Sequence, residues 1–273
     1  SGGLVGSEMC IRDRLKRLLE NPLPTCRSLL TMNTGLIPFR VKVCGVTAPD
    51  QVAKICATGI DAIGVNFSST SSRGIGAAIA RKIAEAKTPT VKLVGVFVNE
   101  KVERISELVN ETPLDYVQLH GDESWDNYTQ LCERIGAHRI IRACRLKQSR
   151  WDVALQFAQQ ATASGLLPAG ILIDSQVSKQ YGGTGKRLDW SKLGTKSGPL
   201  ERIPIILAGG LTPDNVSQAI RLMNPEAVDV AGGVETNIGM KSFDECRRFA
   251  EQSRWGWSPP PPPQTSHFPA TFN

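Results

Sequence analysis

The stretch Val41–Thr47, "VKVCGVT", decides how the rest of the chain is read. Val41–Val43 reads as a short buried strand, Cys44 stands at its end, and Gly45 and Thr47 supply the turn residues. In an open doubly wound sheet a first strand more often meets a GxGxxG turn, with an acid about twenty residues later. Here it meets CGVT, and neither of those features follows.

Working outward, the same kind of run recurs. Ala62–Phe67, Lys92–Val98, Tyr116–Leu119, Arg139–Ala143, Gly170–Ile173, Pro204–Ala208 and Ala227–Val230 are mostly rich in Val and Ile and do not alternate strictly. That is the signature of parallel strands covered on both faces. Helical patterns lie between them. Pro49–Thr58 puts Val52, Ile55 and Cys56 on one face, and Val102–Val109 does so with Val102, Ile105, Leu108 and Val109. Pro213–Leu222 opens with Pro after Thr212, an N-cap followed by a favourable first helical residue. Eight strand–helix units predict a single (β/α)8 TIM barrel.

Composition narrows the function. The 273 residues are 41% hydrophobic, enough for a large core. No apolar run reaches the roughly 18 residues that a membrane span needs. The net charge of +6 is spread along the chain without a basic stripe, which argues against nucleic acid and suits a small anion. The seven cysteines are odd in number and contain no CxxC, so a reduced, cytoplasmic protein is expected rather than a disulfide framework or zinc site.

Both ends read as foreign to the fold. Leu4–Arg14 resembles a translated sequencing adapter, with a natural leader as the alternative, so residues 1–31 are read as a non-native or disordered leader; Met32 is then the expected start, with Leu15–Thr31 as genuine coding sequence the alternative. Residues 32–253 form the expected barrel, and 254–273, with their proline run, a disordered tail.

In such a barrel, chemistry sits where strands end. Those positions hold Cys44, then Ser71, Ser72 and Arg73, then Asn99, then Gln118, His120 and Glu123, then Cys144 and Arg145, then Asp174. Three glycine-rich turns follow the last three strands: Gly182–Gly185, Ala208–Leu211 and Gly232–Glu235. Glycines let backbone N–H groups approach an anion, and three such turns on neighbouring strands point to phosphate. Asp61 reads as a turn or helix-end contact, and Asp214 as an acid favouring its helix's N-terminus.

Taken in order, "VKVCGVT", "GVNF…SSR", "VGVFVN", "YVQLHGDE", "LIDS", "GGTG", "LAGGLTPDNV" and "VDVAGGVE…G.K" resemble the phosphoribosylanthranilate isomerase family over residues 41 to about 250. The resemblance implies an Amadori rearrangement in tryptophan biosynthesis. N-(5-phosphoribosyl)anthranilate becomes 1-(2-carboxyphenylamino)-1-deoxyribulose 5-phosphate without metal or cofactor, in a monomer or homodimer. It also implies Cys44 as general base, Asp174 as general acid and Arg73 as the grip on the anthranilate carboxylate. Gln118 and His120 would line the pocket, and Gly183, Gly185, Gly209, Gly210, Gly232 and Gly233 would bind substrate through the phosphate.

Three departures from the family pattern stand out. Gly232 replaces a serine, Ser72 replaces the proline of Ser-Pro-Arg, and Ser242 replaces the aspartate of Lys-Asp. None removes a proposed acid or base.

The chemistry explains the residue types. Ring opening needs an acid at the ring oxygen, and the Schiff base then loses its C2 proton to a base. A thiol must be shifted toward thiolate to serve, and a carboxyl must keep its proton, which demands partial burial. A lone cysteine is more often a small core residue, and Cys144 is the internal rival for the base. Cys56, Cys132 and Cys246 fall in helical patterns, where packing is expected. Among other functions, the histidine-pathway isomerase resembles this fold but uses two aspartates, and Cys44 stands where one would be. A non-catalytic phosphate-binding barrel would have no need of the acid and base, and a thiol–metal protein lacks a ligand cluster.

Overall fold

Eight parallel strands pair in chain order and the eighth closes onto the first. The computed structural model describes residues 37, 39–146, 150–175, 190, 193 and 195–259; the expected leader and the tail beyond 259 lie outside the described residues. The strands are β1 (Val41–Cys44), β2 (Ala62–Asn66), β3 (Lys92–Phe97), β4 (Tyr116–Leu119), β5 (Ile140–Leu146), β6 (Gly170–Ser175), β7 (Ile205–Leu207) and β8 (Ala227–Val230). The helices are α1 (Pro49–Cys56), α2 (Ala77–Ala86), α3 (Val102–Glu111), α4 (Trp125–Ile135), α5 (Asp152–Ser164), α6 (Val216–Met223) and α7 (Phe243–Trp257). A short hairpin, β9 (Glu235–Asn237) and β10 (Met240–Lys241), sits between β8 and α7.

Strand parity divides the core in two. Phe39, Ala62, Val94, Ile141, Ala143, Leu172, Ile206 and Ala227 fill the barrel interior. Their strand neighbours, such as Val43, Ile63, Leu93, Val117, Ile173 and Val228, pack outward with Ile55, Ile83, Ile105, Leu131 and Phe249 from the helices. Each fully buried aliphatic side chain contributes about 1.5–3 kcal/mol, against the chain entropy lost on ordering.

Carboxylates pin the strand starts. Asp61, just before β2, accepts from the Arg40 and Val41 N–H groups at 3.0 and 2.9 Å. Asp115, before β4, accepts from Leu93 N at 2.8 Å, and Glu226, before β8, accepts from Ile205 N at 2.7 Å. Asp61 therefore caps a neighbouring strand rather than a turn or a helix end.

Three other expectations are corrected. Helix α6 starts at Val216, not Pro213, because the Asn215 side chain accepts from Thr212 N (2.9 Å) and donates to Gly210 O (2.9 Å), closing a turn ahead of the helix. Asp214 pairs with Arg248 of α7 at 2.7 Å. The barrel does not end at 253: α7 runs to Trp257, whose indole donates to Pro225 O at 2.9 Å and lies under the Arg40 guanidinium. No described helix is long and apolar enough to cross a membrane.

Candidate active site

Cys44 is the last residue of β1, inward-facing and partly exposed. The register sets it opposite Gly64 of β2, and a Cβ at Gly64 would stand 2.7 Å from its sulfur. Glycine there makes the room that the thiol occupies. Gly45 follows with φ +78°, and a Cβ on it would meet Arg73 Cδ at 2.4 Å. The stem of Arg73 thus crosses the mouth of β1 directly over Gly45.

Two inward residues below Cys44 carry charge. Lys42 is fully buried and donates to Asp229 of β8 at 2.9 Å, its lateral neighbour in the register. Burial works against the Lys42 charge, but the Asp229 carboxylate outweighs it and holds the ammonium above its ordinary range. Around Cys44, burial pushes the thiol pKa up, Lys42 and Lys241 pull it down, and Asp229 adds to the rise. The net direction is upward. Burial thus exceeds the field of the cations, opposite to the shift toward thiolate that a base needs.

Asp174 lies within β6 and is 8% exposed. His120 Nε2 stands 3.6 Å from its Oδ2, and His120 Nδ1 is 2.7 Å from Gln118 Nε2. Gln118 Oε1 is buried with no hydrogen-bond partner among the described residues. Gln118, His120 and Asp174 therefore form one contiguous polar wall. Glu123 stands behind it, accepting from Asn99 N and Gly121 N at 2.9 Å each and pairing with Arg142, so it holds the turn that carries His120.

Cys144, the rival at the sequence level, stands apart from this wall. Strand β5 runs on to Leu146, so Cys144 is mid-strand rather than at a strand end. It points outward into the packing layer, 2% exposed, and burial raises its pKa to about 11 despite Arg142 and Arg145. Arg145 pairs with Asp122. Cys56, Cys132 and Cys246 are buried in helices.

Arg73 is held on one edge. Its Nε and Nη2 donate to the two oxygens of Glu235 at 2.8 and 2.5 Å, and this pairing raises its pKa further. The Ser72 departure is compensated locally: Ser71 Oγ accepts from Arg73 N (3.2 Å) and Ser71 O accepts from Gly74 N (2.9 Å), so the turn closes without proline. Ser242 likewise caps α7, accepting from Glu245 N at 3.3 Å.

Of the glycine turns, Gly183 and Gly185 lie outside the described residues. Gly209 and Gly210 have φ of +85° and +72°, which disfavour any side chain. A Cβ on Gly233 would stand 2.0 Å from Leu211 O, so its smallness is required by the neighbouring turn. Gly232 is open, with Arg73 Nη2 the nearest atom at 3.7 Å. Lys42, Asp229, Glu235 and Lys241 carry charge at this end of the barrel, and the sequence reading gave them no role. The signal for the first two was a charge inside an otherwise apolar strand.

Fold and site together define a (β/α)8-barrel enzyme whose acid and base candidates project from strand ends beside anion-suited turns. Residues 41–252 match the family described as PRAI, N-(5'phosphoribosyl)anthranilate (PRA) isomerase. An N-(5'-phosphoribosyl)anthranilate isomerase of Neisseria meningitidis serogroup B is 40% identical over 212 residues, covering 77% of this chain and 94% of the relative. That of Pseudomonas aeruginosa PAO1 is 39% identical over 217 residues, covering 79% and 95%. A solved phosphoribosyl anthranilate isomerase from Thermotoga maritima superposes with a TM-score of 0.67 at 32% identity, covering 79% of this chain and 98% of that one. Another solved isomerase, in complex with reduced 1-(o-carboxyphenylamino)-1-deoxyribulose 5-phosphate, gives 0.65 at 31% identity with the same coverage. The chain belongs to the N-(5'-phosphoribosyl)anthranilate isomerase family, and is an isomerase of tryptophan biosynthesis.

Proposed function

We propose that Cys44 is the general base and Asp174 the general acid of the Amadori rearrangement of N-(5-phosphoribosyl)anthranilate. The observation that carries this reading is their placement: both are inward-facing at the same end of the barrel, with β7 and β8 between them one way and β2 to β5 the other. Two groups on separated strands can address a bound sugar from different sides. Asp174 delivers its proton to the ring oxygen, the ring opens to the Schiff base, and Cys44 as thiolate removes the C2 proton. The enolamine then tautomerises to the ketone. His120 and Gln118 line the acid's side of the pocket.

Burial holds the thiol pKa above its ordinary value, against the pull of Lys42 and Lys241. Arg73 holds the anthranilate carboxylate, and the turns at Gly183, Gly185, Gly209, Gly210, Gly232 and Gly233 hold the phosphate. The bound analogue in the related crystal structure is a phosphosugar carrying a carboxyphenyl group, which supports both assignments. The protein is proposed to work in the cytoplasm without cofactor. It would be a monomer or, like the Thermotoga maritima isomerase described as dimeric, a homodimer. A coupled assay with freshly made phosphoribosylanthranilate, following loss of anthranilate fluorescence, tests the activity directly. Absence of turnover would overturn it.

A further inference from the structure

Four donors converge on the carboxylate of Glu235. Its Oε1 accepts from Arg73 Nε at 2.8 Å, Lys241 Nζ at 2.7 Å and Gly239 N at 3.2 Å, and its Oε2 accepts from Arg73 Nη2 at 2.5 Å. Lys241, 4% exposed, also donates to Ala231 O at 3.1 Å. Gly239 is itself tied down, its carbonyl accepting from Thr47 Oγ1 at 3.0 Å. The carboxylate is thus fixed by the β9–β10 hairpin before it meets Arg73.

We infer that Glu235, anchored by Lys241, is a positioning residue that presents the guanidinium of Arg73 to the substrate's aromatic carboxylate. The inference rests on the role of Arg73 proposed above. A guanidinium has several donor edges, and Glu235 takes only the Nε–Nη2 edge. Nη1 is left without a hydrogen bond to the described residues. The stem is confined over Gly45, and Nη2 lies 3.7 Å from where a Cβ on Gly232 would be. An arginine free to rotate would lose its rotamer freedom only on binding, which weakens affinity; a pre-set one has already lost it.

Charge supports the same conclusion. Arg73 and Lys241 both face one carboxylate; burial works against the Lys241 charge, so the charge presented to an incoming anion is that of the Arg73 guanidinium. Burial works against ionisation of Glu235, but hydrogen bonds from Arg73 and Lys241 prevail and hold its pKa below the ordinary range. The clamp therefore stays ionised through the neutral range.

A purely structural tie between the loops after β2 and β8 would affect every substrate equally, whereas positioning for the carboxylate would not. The test compares kcat and KM for N-(5-phosphoribosyl)anthranilate with those for N-(5-phosphoribosyl)aniline, which lacks the carboxylate, both followed chromatographically. Arg73→Met should lose about tenfold or more on the anthranilate substrate, chiefly in KM, with little change on the aniline one. Glu235→Gln should show the same selective loss, and the double variant should be no worse than Arg73→Met alone. Should Glu235→Gln fail to fold, Glu235→Asp, which withdraws the carboxylate but keeps its charge, is read by the same ratio. Equal losses on both substrates, or no loss, in the Glu235 variants would overturn positioning while leaving Arg73's role intact. Equal losses on both substrates in Arg73→Met would overturn Arg73's role and this inference with it.

Discussion

Cys44 faces Gly64 across the β1–β2 register, and a single added methyl on Gly64 would reach within 2.7 Å of the thiol sulfur. The same methyl would come within 3.2 Å of the Cys44 Cα and of Lys42 Cε. Gly64→Ala should therefore displace the thiol. The expected outcome is a loss of kcat of about tenfold or more, with about 1–3 kcal/mol of overpacking strain. Steady-state kinetics and urea unfolding read the two effects. Parental kcat in a folded variant would mean that the thiol's placement does not govern the reaction.

The acid and base assignments make a second expectation. Cys44→Ser and Asp174→Asn should each lower kcat by about 10²–10⁴-fold with little change in stability, while Cys144→Ser stays near the parent. The contrast follows from facing: Cys144 lies in the outer packing layer. A collapse in Cys144→Ser, or near-parental turnover in Cys44→Ser, would move the base elsewhere.

The pH profile follows from the thiol's surroundings. A base works deprotonated, so kcat/KM should rise as pH passes through the thiol pKa of the free enzyme. Burial raises that pKa above its ordinary value, so the rising limb should lie above about 8.5. Cys44→Asp, which is ionised far below this range, should move the limb to acidic pH. A limb that stays where it was in that variant would belong to another group.

At the phosphate turns, Gly232 offers a cleaner probe than Gly209. Any side chain at Gly209 is strained by its φ of +85°, whereas Gly232 has open space around its Cα. Gly232→Ser restores the hydroxyl usual in the family and should lower KM by about two- to tenfold at unchanged kcat. Millimolar inorganic phosphate should compete with substrate. Insensitivity of kcat/KM to phosphate would remove the anion role from these turns.

The sequence was most readable where one physical signal acted alone. Tyr116–Leu119 and Ala227–Val230 were bounded correctly because turn residues flank short runs. Strand β5 was read three residues short, since Arg145 interrupts the apolar pattern; in the barrel Arg145 pairs with Asp122 and the strand continues beside β6 to Leu146. The start of α6 was misplaced because Pro after Thr is a generic helix opening, and only the fold shows Asn215 bonding back to Thr212 and Gly210. That Cys44 and Asp174 stand near strand ends was legible from the apolar runs before them. Lys42 with Asp229, and Arg73 with Glu235, were not, because each pair is far apart in the chain: the first meets only when β8 closes on β1, the second only when the β9–β10 hairpin after β8 reaches the loop after β2.

That seam also sets an order of events during synthesis. The ribosome makes Lys42 and Arg73 early, but Asp229, which pairs with Lys42, emerges 187 residues later and Glu235, which holds Arg73, 162 residues later. A nascent chain halted before β8 carries the thiol and the arginine without the groups that ion-pair with Lys42 and Arg73. The ion pairs at this end of the barrel are thus completed only by residues from β8 onward, among the last of the fold to be synthesised.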